Sequence, residues 1–308
     1  MVSVYTTVLI IPILKLSVTI LPLMNNFYIK ANQQGVAAIV TGIFIIASLF
    51  NTEAKAQGNL LIMPKRVVFE GPKRSEEINL ANTGSDTATY VISFVQMRMT
   101  ETGAFEKILE PDSAQNFSDK NVRFFPRMVT LAPNEAQSVK VQVTKSGELK
   151  PGEYRSHLYF RAIPKEKPLG EKVVTNDTSI SVSLVPVFGI SIPVIIRVGE
   201  NDTKVSFSDV ALNTYEDTIP AVSVTFNRSG KMSAYGDVVV EHISPIGVKT
   251  RVGMIKGIAV YTPNPVRKSQ IKLNNVPGVD FHTGKLQVMY TDQSINAKSF
   301  AEQEILLR

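Results

Sequence analysis

The stretch that most constrains the fold is SVSLVPVFGISIPVIIRVG, from Ser181 to Gly199. Its even-numbered positions are Val182, Leu184, Pro186, Phe188, Ile190, Ile192, Val194, Ile196 and Val198, all apolar. Ser181, Ser183, Ser191 and Arg197 fall among the odd positions. A period of two predicts a β-strand with one buried face. At roughly 3.3 Å per residue an unbroken strand here would run beyond about 50 Å, longer than the core of one ordinary sandwich covers. Either the strand serves something besides its own core, or Pro186 and Gly189 divide it into two ordinary strands.

The remainder of the chain is β in pattern too. Leu61–Phe69, Ile78–Leu80, Tyr90–Val95, Val129–Leu131, Ser138–Val143 and Tyr154–Ile163 alternate, and turn signals such as Asn82–Asp86 and Thr102-Gly103 separate them. The pattern restarts after Gly199, with Val205–Val210, Ala221–Phe226, Asp237–His242, Met254–Tyr261, Lys285–Tyr290 and Ser299–Leu307. No segment sustains a helical period over twelve residues, and Lys165–Thr178 reads as a polar loop. The length of 308 residues suits two domains. The expected architecture is all-β, with sandwiches over residues 57–199 and 200–308.

Residues 1–56 stand apart. Val36–Phe50 is an apolar run of fifteen residues, followed by Ala54-Lys55-Ala56, a small-x-small cleavage signal, and preceded by Lys30. That is the order of a secretory signal peptide, predicted to be cut after Ala56; a membrane anchor is the competing reading. Val8–Leu23 is also apolar, so either Met24 is the functional start or an extra membrane helix precedes the signal. Cleavage would remove three lysines and one glutamate, lowering the formal net charge from +6 to +4. The mature chain is then exported and not inserted in a membrane. Its charge is spread out, and Lys65-Arg66 and Lys73-Arg74 are pairs and not runs, which gives no nucleic-acid stripe.

Catalytic chemistry has little to draw on. Cysteine is absent, which removes disulfides, thiol nucleophiles and Cys-ligated metals together. The three histidines, His157, His242 and His282, do not share ligand spacing, and no nucleophile elbow or phosphate-binding glycine loop is present. Glu76 and Glu77 are adjacent in a strand and so face opposite sides. No enzyme, cofactor or metal is expected.

The order of several segments resembles the periplasmic pilus chaperones of the chaperone–usher pathway, the PapD-like family, in a divergent archaic-type form. Lys65-Arg66-Val-Val-Phe-Glu-Gly71 is similar to the family's first-strand motif. Phe125-Pro126 with Val129-Thr-Leu-Ala-Pro133 and Gln137–Val143 resembles its middle segment, and Gly152–Pro164 its strand ending in Ile-Pro. Ile190–Arg197 resembles the last strand of its first domain, and Asn227–Gly230 with Ser233–Gly236 a stretch of its second. The likeness runs over about 60–308.

This resemblance implies two immunoglobulin-like sandwiches in an L or boomerang arrangement. It also implies an ATP-independent periplasmic chaperone that completes pilin-like subunits by donating a strand, then passes them to an outer-membrane usher. The overlong strand would be the donated one, with Leu184, Phe188, Ile190 and Ile192 offered to the client, while Val194 and Ile196 fill the home core. Arg66 matches the family's cleft residue for the client's terminal carboxylate; a plain surface arginine is the alternative. Aligning Arg197 with the family's Arg puts Pro193 where the family has Lys, so a two-cation anchor is not implied. The other reading is a structural or adhesive envelope protein that uses the same apolar edge for self-association.

Overall fold

The computed structural model describes residues 60–164, 187–216, 218–293 and 298–307. The signal-like segment, the loop over 165–178 and Leu184 lie outside these residues. The described residues belong to one compact unit, and among them no helix is long and apolar enough to cross a membrane. Regular structure is almost entirely strand, as the alternation requires.

Eleven strands come first: β1 (Leu60–Met63), β2 (Val67–Phe69), β3 (Ser75–Asn82), β4 (Ala88–Val95), β5 (Met97–Met99), β6 (Phe105–Lys107), β7 (Val122–Phe125), β8 (Met128–Leu131), β9 (Ala136–Val143), β10 (Gly152–Ala162) and β11 (Gly189–Val198). Two sheets of these strands, in the orders β1-β3-β9-β7 and β2-β11-β10-β4-β8, enclose the first core; β5 and β6 form a separate hairpin. Ile78, Leu80, Leu131, Val139, Val141, Leu158, Phe160 and Val194 are fully buried in that core. Each is the inward residue of an alternating strand, which is why the period of two locates them. Asn82 is one of the polar residues buried in this sandwich. Its side-chain amide donates to the carbonyls of Asp86, Leu131 and Ala132, and its oxygen accepts from Gly84 N–H, so the turn after β3 is fixed from within.

Seven strands follow: β12 (Lys204–Tyr215), β13 (Ile219–Ser229), β14 (Ala234–Ile243), β15 (Lys249–Val260), β16 (Val266–Lys272), β17 (Lys285–Asp292) and β18 (Ser299–Leu306). They form sheets ordered β12-β13-β16 and β15-β14-β17-β18 around a second core. An aromatic chain crosses it edge to face, Phe207 to Phe226 at 5.3 Å and Phe226 to Tyr290 at 5.2 Å. The buried Tyr290 hydroxyl donates to the Ile258 carbonyl at 3.0 Å. Burial raises the Tyr290 phenol well above its ordinary range, so it stays protonated as that donor.

The periodicity misses β7, β16 and the β5–β6 hairpin, and it reads β1 and β2 as one run. β16 buries only Ile271 fully; Arg267, Lys268 and Lys272 are charged and Ser269 and Gln270 are polar, so it lacks a clear apolar face. The β5–β6 hairpin is three residues a side, and only its Thr102-Gly103 turn is legible in the sequence. A third, smaller apolar cluster of Met99, Ile195, Ala259 and Tyr261 lies between the two sandwiches.

Candidate functional site: a half-free strand and an arginine cleft

β11 pairs antiparallel with β10 along its whole length, from Gly189 opposite Arg161 to Val198 opposite Gly152. On its other side it pairs only with β2, in parallel, over Val194–Ile196. Among the described residues, Gly189–Pro193 therefore has a strand partner on one side only. Backbone groups on such an edge are a template for another strand. Pro193 has no N–H to present, which suits an edge position.

The side chains sort along this strand. Ile192, Val194 and Ile196 are buried in the first core at 1%, 0% and 3% exposure. Ile190 is half-buried against that core. Phe188 and Val187 are exposed at 48% and 44%. The sequence expectation placed Ile192 with the outward-offered residues; the structure corrects this, because β10 and the opposite sheet already enclose its side chain. The boundary between home core and open surface falls at Ile190. Phe188 is nonetheless anchored through its backbone, its carbonyl accepting from Ala162 N–H at 2.9 Å. Gly189 leaves room for Tyr159: a Cβ there would run into the Tyr159 ring and hydroxyl, so that side chain would have to shift.

Ile195 alternates to the other face of β11 and is fully buried between the sandwiches. On the same face of β10 lie Glu153, Arg155 and His157, buried at 3%, 2% and 2% exposure. Here sequence reasoning misses the site. In Gly152-Glu-Tyr-Arg-Ser-His-Leu nothing marks these alternate polar residues as buried; the second sandwich covers them, with Phe105 of β6 against His157.

Arg66, at the entry to β2, is half-buried and donates from Nη1 to the Tyr261 hydroxyl at 3.3 Å. Its guanidinium lies 4.3 Å from the Tyr235 ring centroid and 5.4 Å from that of Tyr261. Arg155 sits over the Tyr261 ring at 4.3 Å and donates from Nη2 to the Thr262 carbonyl at 3.0 Å. Among the described residues its buried Nε and Nη1 have no hydrogen-bond partner. Two guanidinium groups thus share one phenol. Burial lowers the Arg155 pKa, Tyr261 and Glu153 oppose that, and Arg66 adds to it by like-charge repulsion. The cleft therefore holds a second cation, on β10, while Pro193 lies opposite His157 in register.

His157 is pushed down to about 3, first by burial and then by Arg155, so it is neutral near pH 7. The Phe105 ring meets it at 5.4 Å. Below this cluster a polar network ties the sandwiches. The Glu153 carboxylate accepts from the backbone N–H of Ser233 at 2.9 Å, from the Ser233 hydroxyl, and from Arg197 Nε at 3.2 Å. Arg197 Nη2 also donates to the Ser233 carbonyl at 2.7 Å, and Thr262 N–H donates to the Ser233 hydroxyl at 3.1 Å. Every partner of the buried carboxylate is a donor, as a charge in that position needs. Among the described residues no group of three His, Asp or Glu could hold a metal ion.

No family model and no curated protein matches the chain. Similar solved structures include the YadV chaperone, at 13% identity and a TM-score of 0.40, covering 81% of this chain and all of that one. The CupB2 chaperone of Pseudomonas aeruginosa is 12% identical with a TM-score of 0.40, covering 80% of this chain and all of that one. A chain of the CsuC–CsuE chaperone–tip adhesion subunit pre-assembly complex, from archaic chaperone-usher Csu pili of Acinetobacter baumannii, is 12% identical with a TM-score of 0.41, covering 82% of this chain and all of that one.

Proposed function

We propose that this protein is a periplasmic chaperone for pilin-like subunits, acting by strand donation from β11 and the segment before it. The observation that carries the reading is the one-sided edge at Gly189–Pro193, led in by the exposed Val187 and Phe188. An apolar edge left open is an aggregation hazard, and a client lacking one strand is the partner that removes it. The sequence motifs from Arg66 through Arg197 support the same reading.

In this mechanism the client's open groove pairs with the free side of β11, gaining backbone hydrogen bonds along the edge. Phe188 and Ile190, with Leu184 upstream, enter the groove, while Ile192 stays in the home core. Each side chain buried this way contributes about 1.5–3 kcal/mol gross, part of which offsets the cost of association and ordering. The client's terminal carboxylate is received in the cleft by Arg66, with Arg155 as the second cation behind it. A carboxylate forms paired, charge-assisted bonds with a guanidinium group, which the half-buried Arg66 can offer directly, while Arg155, at 2% exposure, contributes its charge from behind. No nucleotide is needed: the client is released when another subunit's strand replaces β11, at an outer-membrane usher.

The test is co-purification. The full-length chain is expressed in a host with a periplasm, together with candidate pilin-like subunits. Stoichiometric complex formation that is lost in a folded Phe188→Asp/Ile190→Asp variant is expected. Capture indifferent to both substitutions overturns donation. Concentration-dependent fibres of the pure protein in place of client capture would favour an envelope protein that self-associates through this edge.

A further inference from the structure

The β5–β6 hairpin belongs to neither sheet of the first sandwich, yet it is held at both ends. Toward that sandwich, Gln115 Nε2 donates to the Met97 carbonyl at 3.1 Å, Lys107 Nζ lies 5.3 Å from the Tyr159 ring centroid, and Phe105 packs on His157. Its turn closes on itself, with Thr100 N–H donating to the Ala104 carbonyl at 2.8 Å and Gly103 N–H to the Thr100 carbonyl at 2.9 Å.

Toward the second sandwich the hairpin tip meets β16, an edge strand of the three-stranded sheet. Lys268 N–H donates to the Glu101 carbonyl at 2.6 Å, and Lys268 Nζ stands 3.5 Å from the Glu101 carboxylate. The Asn264 side-chain amide donates to the Met99 carbonyl, and Phe105 reaches Tyr261 at 6.0 Å between ring centroids. Gly103, at φ +83°, lets the tip lie against Arg267; a Cβ there would stand 2.5 Å from that guanidinium. An exposed edge N–H that finds a backbone acceptor on another domain gains both satisfaction and position.

The grip falls on one short connection. Tyr261–Pro265 joins β15 to β16, and its turn is closed by Asn264 N–H on the Tyr261 carbonyl at 3.0 Å. Asn264 and Lys268 are held from the hairpin, and Tyr261 is the ring that both Arg66 and Arg155 face. We infer that the β5–β6 hairpin is a strap that positions Tyr261 in the arginine cleft by fastening the β15–β16 connection to the first sandwich. Glu101, Gly103 and Asn264 are its positioning residues. The inference rests on geometry alone and does not depend on what the cleft binds.

Amide hydrogen exchange read by NMR on the client-free protein tests it, with the Arg155 Hε resonance as a second readout, since a guanidinium stacked on a tyrosine is shifted upfield by the ring. The Lys268 amide is expected to be protected in the wild-type protein. In Asn264→Ala and in Gly103→Leu its protection should fall at least tenfold and the Arg155 Hε shift should move toward the free-arginine value. Core amides of Val222 and Val240 should keep their protection, which checks folding. Asn264→Gln, which keeps a side-chain donor, should recover part of both signals. A wild-type Lys268 amide that exchanges like an open edge, or variants that leave the Arg155 Hε shift unchanged, would overturn the strap.

Discussion

At the residue scale, His157 is a titratable group withdrawn from water. It is buried in mid-strand, one ring nitrogen lacks a partner, and Arg155 lies two residues away on the same face. Its folded pKa of about 3 lies below the ordinary 6.5, so the unfolded chain takes up a proton that the folded one refuses. The resulting stability is fully present above pH 6.5 and is lost progressively as pH falls from 6.5 toward 3. At about 1.4 kcal/mol per pKa unit, the loss between pH 7 and pH 4 is about 3 kcal/mol. His157→Phe, which keeps the ring contact with Phe105, should flatten this acid limb in denaturant titrations at the two pH values. An unchanged limb would mean that the histidine is solvated after all. The Glu153–Arg197 pair makes the opposite case. Arg197→Met leaves a buried carboxylate with only the Ser233 donors, and a loss of about 3 kcal/mol is expected by equilibrium unfolding. These roles were invisible in the sequence, because Glu153, Arg155 and His157 lie on the alternate face that a lone sandwich would expose.

At the element scale, the strands with one apolar face were legible and those that depend on neighbours were not. In β9, Val139 and Val141 alternate with exposed residues, and burial follows the pattern residue by residue. Leu158→Ala in β10, at a fully buried position, should cost about 2–5 kcal/mol by the same unfolding measurement. β11 is different. Its even positions are apolar without interruption from Ile190 to Val198, so the period alone gives no sign of where the home core ends. That limit is set by how far the opposite sheet extends, a tertiary fact. It changes the design of the decisive variant: Asp at Ile192 would damage the core, whereas Asp at Phe188 and Ile190 probes the open surface. Phe188→Asp alone is expected to leave the unfolding free energy within about 0.5 kcal/mol of the parent, as surface substitutions do.

At the scale of the whole molecule, two apolar cores are coupled by a polar seam. The seam draws Glu153, Arg155 and Arg197 from the first sandwich and Ser233, Tyr261 and Thr262 from the second. The repeat of the alternating pattern after Gly199 was readable; the seam was not, since its residues are far apart in the chain and polar by type. The proposed mechanism draws on the half-free strand β11 and on Arg66, with Arg155 buried behind it. The most direct measurement of the central claim is amide exchange at Gly189–Ser191 of this protein, free and in complex with a captured pilin-like subunit. Donation requires the amides on the open side of β11 to become protected on capture, and Phe188→Asp/Ile190→Asp to abolish capture. A stoichiometric complex in which those amides exchange as they do in the free protein would contradict it.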